Sequence, residues 1–198
     1  KTYKLLIFIY IMLVTTCIFA DSKTNLIINK SINPVVFFVD RINETKAILS
    51  NLKIYKIVSI IGVTSMGKTE LARKYASYNK KRYELIWFFD SNIDLNEQFV
   101  SLANKINNSL LLQNDHKISE DPNMAQQEIM NFLTERENWL LVFDNLRLGQ
   151  NNKLDNIIKW NHNGHIIICS QDSKDLPNNI FLHKLDKENA LILLQKIL

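Results

Sequence analysis

Short apolar blocks alternate along the chain with longer stretches in which apolar side chains recur every three to four positions. The blocks Ile54–Ile61, Glu84–Phe89, Trp139–Phe143 and Ile166–Cys169 are rich in β-branched and aromatic residues and read as strands. A small or polar residue follows each: Gly62, Asp90, Asp144 and Ser170. Ile180–Leu182 reads as a short fifth strand. Helical spacing lies between them. Asn43–Leu52 is the first such stretch. Lys68–Tyr78 places Leu71, Ala72, Tyr75 and Ala76 on one face, and Leu95–Ile106 does the same with Phe99, Leu102, Ala103 and Ile106. Residues 107–123 are polar and read as a loop, and Pro122 introduces a helix over Met124–Thr134. Asp155–Trp160 is a short helix and Asp186–Leu198 a last one, apolar on one side.

Strands alternating with helices predict βαβ units. The expected architecture is three-layered α/β, with a mainly parallel central sheet covered by helices on both faces. Uninterrupted runs such as Leu140–Phe143 suit strands buried on both sides. Ligands in such folds bind beyond the carboxyl ends of the strands, where the polar residues collect here. Composition narrows the choice further. A chain of 198 residues, 46% hydrophobic, buries a sizeable core, which excludes disordered and fibrous classes. Only four glycines and three prolines argue against a small all-β fold built on tight turns.

The first residues follow another logic. Lys1 and Lys4 precede the apolar run Leu5–Val14, and a polar stretch opens at Asp21. That order predicts a signal peptide or membrane anchor over residues 1–20, hence an exported or membrane-anchored protein. The alternative is a buried first core element in a cytoplasmic protein. Residues 21–35 read as a linker. Net charge is +4, but residues 1–20 hold two lysines and no acid, so 22 basic and 20 acidic residues remain, a net +2. With no basic stripe interleaved with aromatics, no nucleic-acid partner is expected, and membrane contact only through the N-terminal segment. Removal of that segment leaves Cys169 as the one cysteine, with no disulfide partner and no signature of a catalytic thiol. His116, His162, His165 and His183 lack paired metal-ligand spacing.

The densest chemical signal is Gly62-Val63-Thr64-Ser65-Met66-Gly67-Lys68-Thr69, which fits G-x-x-x-x-G-K-[ST] between a strand and a helix. Its glycines let backbone N–H groups turn around phosphate oxygens. Lys68 is expected to reach the outer phosphates, and the Thr69 hydroxyl to ligate Mg²⁺. The helix opening at Lys68 directs its positive end at the same anion. Asp144, closing an apolar strand, is the second expected Mg²⁺-site and catalytic residue. The three-layer architecture thereby becomes a P-loop NTPase fold over residues 36–185.

These stretches together resemble the NB-ARC family of signalling NTPases, a branch of the STAND class. Phe38-Val39-Asp40-Arg41-Ile42-Asn43-Glu44 looks like the family's opening motif. Glu84–Phe88 resembles its second strand, Trp139–Asp144 its acidic strand, and Ile166–Ser170 the strand carrying its sensor arginine. Leu185–Ala190 with Leu193-Leu194 look like the helix that follows, so residues 186–198 read as the start of a truncated helical lid. The resemblance implies a switch that is ADP-bound at rest and ATP-bound when active, working with a protein partner or as a homo-oligomer. It also implies adenine contacts from the backbone near Val39 and Arg41; a solvated surface arginine is the other reading of Arg41.

Three positions depart from the family pattern. Asp40 replaces a glycine beside the adenine. Asn145 replaces the second acid, and an amide orients water but is a very poor proton acceptor. Gln171 stands where the sensor arginine is expected, removing a cation that stabilises transferring phosphate. The expectation is a nucleotide-binding module for ADP or ATP with Mg²⁺ and weak or absent hydrolysis. A competent Mg²⁺-dependent ATPase and a decayed interaction scaffold are the alternatives.

Overall fold

The computed structural model describes residues 26–109, 111, 117–147 and 154–198. The N-terminal signal or anchor segment and His116 lie outside the described residues. Six strands form one sheet: β1 (Ile27–Ile28), β2 (Ile57–Ile61), β3 (Leu85–Asp90), β4 (Trp139–Leu146), β5 (His165–Ser170) and β6 (Asn179–Phe181). Their order is β1-β3-β4-β5-β2-β6, and every pairing is parallel. The helices are α1 (Ile42–Tyr55), α2 (Lys68–Tyr78), α3 (Leu95–Asn107), α4 (Ala125–Thr134), α5 (Asp155–Ile158) and α6 (Lys187–Ile197). This is the α/β P-loop fold that the sequence predicts.

Alternate residues of each central strand feed two separate cores, as a period of two requires. Trp87, Phe89, Leu141, Phe143, Ile166 and Ile168 pack against α3 and α4 on one face. Ile86, Phe88, Leu140, Val142, Ile167 and Cys169 pack against Ile48 and Leu52 of α1 and against Leu71, Ala72, Tyr75 and Ala76 of α2 on the other. Both faces are therefore apolar, and the strands read as continuous hydrophobic runs. Cys169 is the small buried core residue of that second face.

Three boundaries shift from the sequence reading. Ile54 and Tyr55 belong to α1, not to the first strand; both are exposed, and their β-propensity yields to the helix, which stops at Lys56 in a left-handed turn (φ +66°). Part of the stretch read as a linker joins the sheet, Ile27–Ile28 pairing with Leu85–Ile86. The Asn29 side chain extends that edge by bonding both the N–H and the C=O of Phe88, at 2.9 and 2.8 Å. Two residues are too few to show a period. The third shift is β4, which runs past Phe143 to Leu146 through a bulge at Asn145 (φ +62°).

Strand order positions the site. β5 lies between β2, which leads into the phosphate loop, and β4, which carries Asp144 near its carboxyl end. Ser170 at the tip of β5 ties the two together. Its carbonyl accepts from Gly62 N–H at 3.1 Å, and its hydroxyl donates to the Leu146 carbonyl at 3.0 Å.

Candidate functional site

The loop between β2 and α2 has the backbone of an anion cradle. Ser65 and Gly67 both lie in the left-handed region, at φ +64° and +88°. A Cβ built on Gly67 would meet nothing within 4 Å, so its glycine answers to backbone conformation and to open space ahead of it. Gly62 has a different reason: a Cβ there would stand 3.0 Å from the Leu182 carbonyl, where β6 packs against the loop base. Lys68 turns back over the loop, its Nζ donating to the carbonyls of Gly62 and Val63 at 2.7 and 3.0 Å. Burial holds this ammonium below its ordinary pKa, partly offset by the nearby Asp144 carboxylate.

Thr69, one position along, faces Asp144. Its Oγ1 lies 2.8 and 3.0 Å from the two carboxylate oxygens, and Asp144 is 8% exposed. A hydroxyl and a carboxylate at the mouth of a phosphate loop are hard oxygen donors of the kind Mg²⁺ takes. The residues fit both parts of a magnesium–nucleotide complex: an open cradle of backbone N–H groups with a lysine for phosphate, and an oxygen pair for the ion. Residues 64, 65, 67–70, 145–147 and 169–171 line a cleft of about 370 Å³.

Asn145 and Gln171 both border this cleft. The Asn145 side chain donates through Nδ2 to Asp90 Oδ1 at 3.1 Å, and its N–H to Asp144 Oδ1 at 2.9 Å. Asp90 closes β3 directly opposite Asp144 in the sheet register. Burial raises the Asp90 pKa, yet hydrogen bonds from Asn145 and Asn92 and the charge of Lys30 outweigh that and hold it below the ordinary value. The sequence offers no local sign that Asp90 is a site residue beyond its place after an apolar run, a place Asp144 shares.

A second cavity, about 430 Å³ and lined largely by apolar groups, adjoins the loop between Phe37, Val39, Met66, Leu185 and Leu193. Val39 is buried and lines it. Arg41 borders it too and is no surface arginine: its side chain is 9% exposed. The guanidinium donates to the carbonyls of His183 (2.9 Å) and Met66 (3.3 Å) and lies 3.4 Å from Glu44 Oε1. It thus fastens the phosphate loop to the opening segment and to the chain after β6, work for which a planar fork of donors is suited. Asp40 turns away to pair with Lys74 at 2.9 Å, and Lys74 Nζ sits 4.4 Å from the centre of the Tyr78 ring. Asp40 is not among the residues lining the apolar cavity.

The NB-ARC domain family matches residues 38–197, four-fifths of the sequence. The chain belongs to the NB-ARC family. Among solved structures, a Walker-type ATPase of Pyrococcus abyssi superposes with a TM-score of 0.53 at 17% identity, over 80% of this chain and 57% of that one. PCH-2 of C. elegans gives a TM-score of 0.39 at 12% identity, over 74% and 41%. The NB-ARC chain spans little more than half of the Pyrococcus abyssi ATPase, and at 17% identity that likeness speaks to fold alone. No curated protein matches. Among the described residues, no helix is long and apolar enough to cross a membrane, and no group of three His, Cys, Asp or Glu side chains is arranged to hold a metal ion.

Proposed function

We propose that this NB-ARC module binds ADP or ATP with Mg²⁺ as part of a signalling switch, and that it hydrolyses ATP slowly or not at all. One observation carries the reading: Lys68 and Thr69 line one cleft, Asp144 accepts from the Thr69 hydroxyl, and the residue beside Asp144 is an amide already committed to Asp90. Backbone N–H groups of residues 64–69 bind phosphate oxygens, with Lys68 exchanging its loop carbonyls for them. Thr69 and Asp144 hold Mg²⁺ in place of their present direct contact; the bound ion neutralises phosphate charge. The apolar cavity at Val39 takes the adenine.

Asn145 limits the chemistry. An ionised carboxylate only accepts hydrogen bonds, so Asp90 fixes the Asn145 NH₂ toward itself and leaves Oδ1 as the remaining acceptor. That oxygen orients a water without taking its proton. A competent ATPase is the second reading, favoured by Asp90 itself, an acid next to Asn145. Phosphate release from saturating MgATP separates the two. The first predicts turnover below about one per minute, far under the usual enzymatic range of one per second or more. Turnover above one per second that is lost in Asp144→Ala would establish the second.

A further inference from the structure

The phosphate cleft is lined by a second cationic residue, Arg147, besides Lys68. Its placement follows from the bulge in β4. Phe143 pairs with Ile168, but the next pair is Leu146 with Ser170, so β4 spends three steps where β5 spends two. The extra residue is Asn145, in the left-handed conformation that an asparagine tolerates better than most side chains (φ +62°). In an unbulged ladder Asn145 would face Ser170. The bulge instead brings Leu146 level with Ser170, so Arg147 and Gln171 each follow a paired residue on adjacent strands.

Ser170 locks this arrangement from both sides. Its hydroxyl donates to Leu146 O at 3.0 Å and accepts from Asp172 N–H at 3.1 Å, while its carbonyl holds Gly62 N–H. Lys68, the neutral Gln171 and Arg147 thus all line the one cleft. Arg147 is exposed at the rim. A triphosphate carries charge beyond what a bound Mg²⁺ and one lysine neutralise, and a guanidinium is the side chain best shaped to engage a terminal phosphate through two donors.

We infer that Arg147 contacts the terminal phosphate of a bound nucleoside triphosphate and thereby sets the preference of the site for triphosphate over diphosphate. This rests on the nucleotide-binding reading above. It assigns to the strand-end bulge the task of presenting that cation.

The test is calorimetric titration of the full chain with MgADP and with a non-hydrolysable MgATP analogue, for wild type, Arg147→Ala, Arg147→Lys and Gln171→Ala. Arg147→Ala is expected to lose about tenfold or more in affinity for the triphosphate, with MgADP affinity changed less than about threefold, the scale of one charge-assisted bond. Arg147→Lys retains part of the discrimination, and Gln171→Ala changes it less than Arg147→Ala. An unchanged melting temperature for Arg147→Ala confirms that the surface substitution leaves the fold intact. Equal losses for both nucleotides, or no loss for either, overturn the assignment while wild-type binding stands. Absence of wild-type binding to both nucleotides overturns the binding reading itself and the assignment with it.

Discussion

The Asn145 amide donates to the Asp90 carboxylate at 3.1 Å, joining the carboxyl ends of two adjacent parallel strands. An acid and an amide share the sheet edge here, with the acid on β3 and the amide on β4. Asn145→Asp would place a second carboxylate about 3 Å from the first, and two such groups do not both ionise readily. The single variant is expected to lose stability, by about 1–2 kcal/mol. The exchange Asp90→Asn with Asn145→Asp should recover most of it. Urea unfolding of wild type, the two singles and the double gives the coupling directly, and additive losses would show that the contact carries no energy.

Arg41 makes a prediction of a different kind. Its guanidinium holds the carbonyls of Met66 and His183 together, and hydrogen bonds to charged groups contribute about 1.5–3 kcal/mol. At about 2–4 °C per kcal/mol for a domain of this size, Arg41→Ala should lower the melting temperature by roughly 3–12 °C. Arg41→Lys should recover little, because a single ammonium does not span two carbonyls and Glu44 at once. Differential scanning calorimetry decides it, and an unchanged melting temperature would mean that the loop needs no such tie.

The phosphate loop was legible because its motif is local: eight consecutive residues dictate a turn, a charge and a helix start. Asp144 was legible as the end of an apolar strand. Arg41 was recognised only as a position, since burial by His183 and Met66 depends on contacts 142 and 25 residues away. Asp90 and Arg147 became visible only with the strand order and the bulge, because no local pattern says which strand tips are neighbours. β1 escaped for a related reason: two residues take their strand conformation from pairing with Leu85–Ile86 rather than from their own propensity.

Buried His165 and half-buried His162 predict a pH dependence. His165 is 1% exposed, and its Nδ1 lies 2.7 Å from Tyr83 Oη, which in turn is 2.9 Å from Tyr75 Oη. Burial, reinforced by the positive charges of Arg82 and Lys56, pushes His165 down to about 4. Burial does the same for His162, also to about 4. In the unfolded chain both protonate near pH 6.5, while the folded chain keeps them neutral until about pH 4. The unfolded state thus binds more protons across that interval, and stability falls as pH drops from about 6.5 to 4, then levels with respect to these two groups. Unfolding free energy measured by urea at pH 7, 5.5 and 4.5 should decline steadily, by a few kcal/mol in all. A flat profile over that range would contradict the reading that the fold keeps both rings neutral.

The central claim is that the loop from Gly62 to Thr69 holds the phosphates of an adenine nucleotide, with Lys68 as its cation. Isothermal titration calorimetry of the full chain with MgADP and MgATP, beside Lys68→Ala, tests it most directly. The account predicts measurable binding by wild type and at least about a hundredfold loss in Lys68→Ala, the scale expected when a partly buried charge-assisted contact to phosphate is removed. Wild-type protein that gives no heat at millimolar nucleotide, or a Lys68→Ala variant that binds as wild type does, would contradict it.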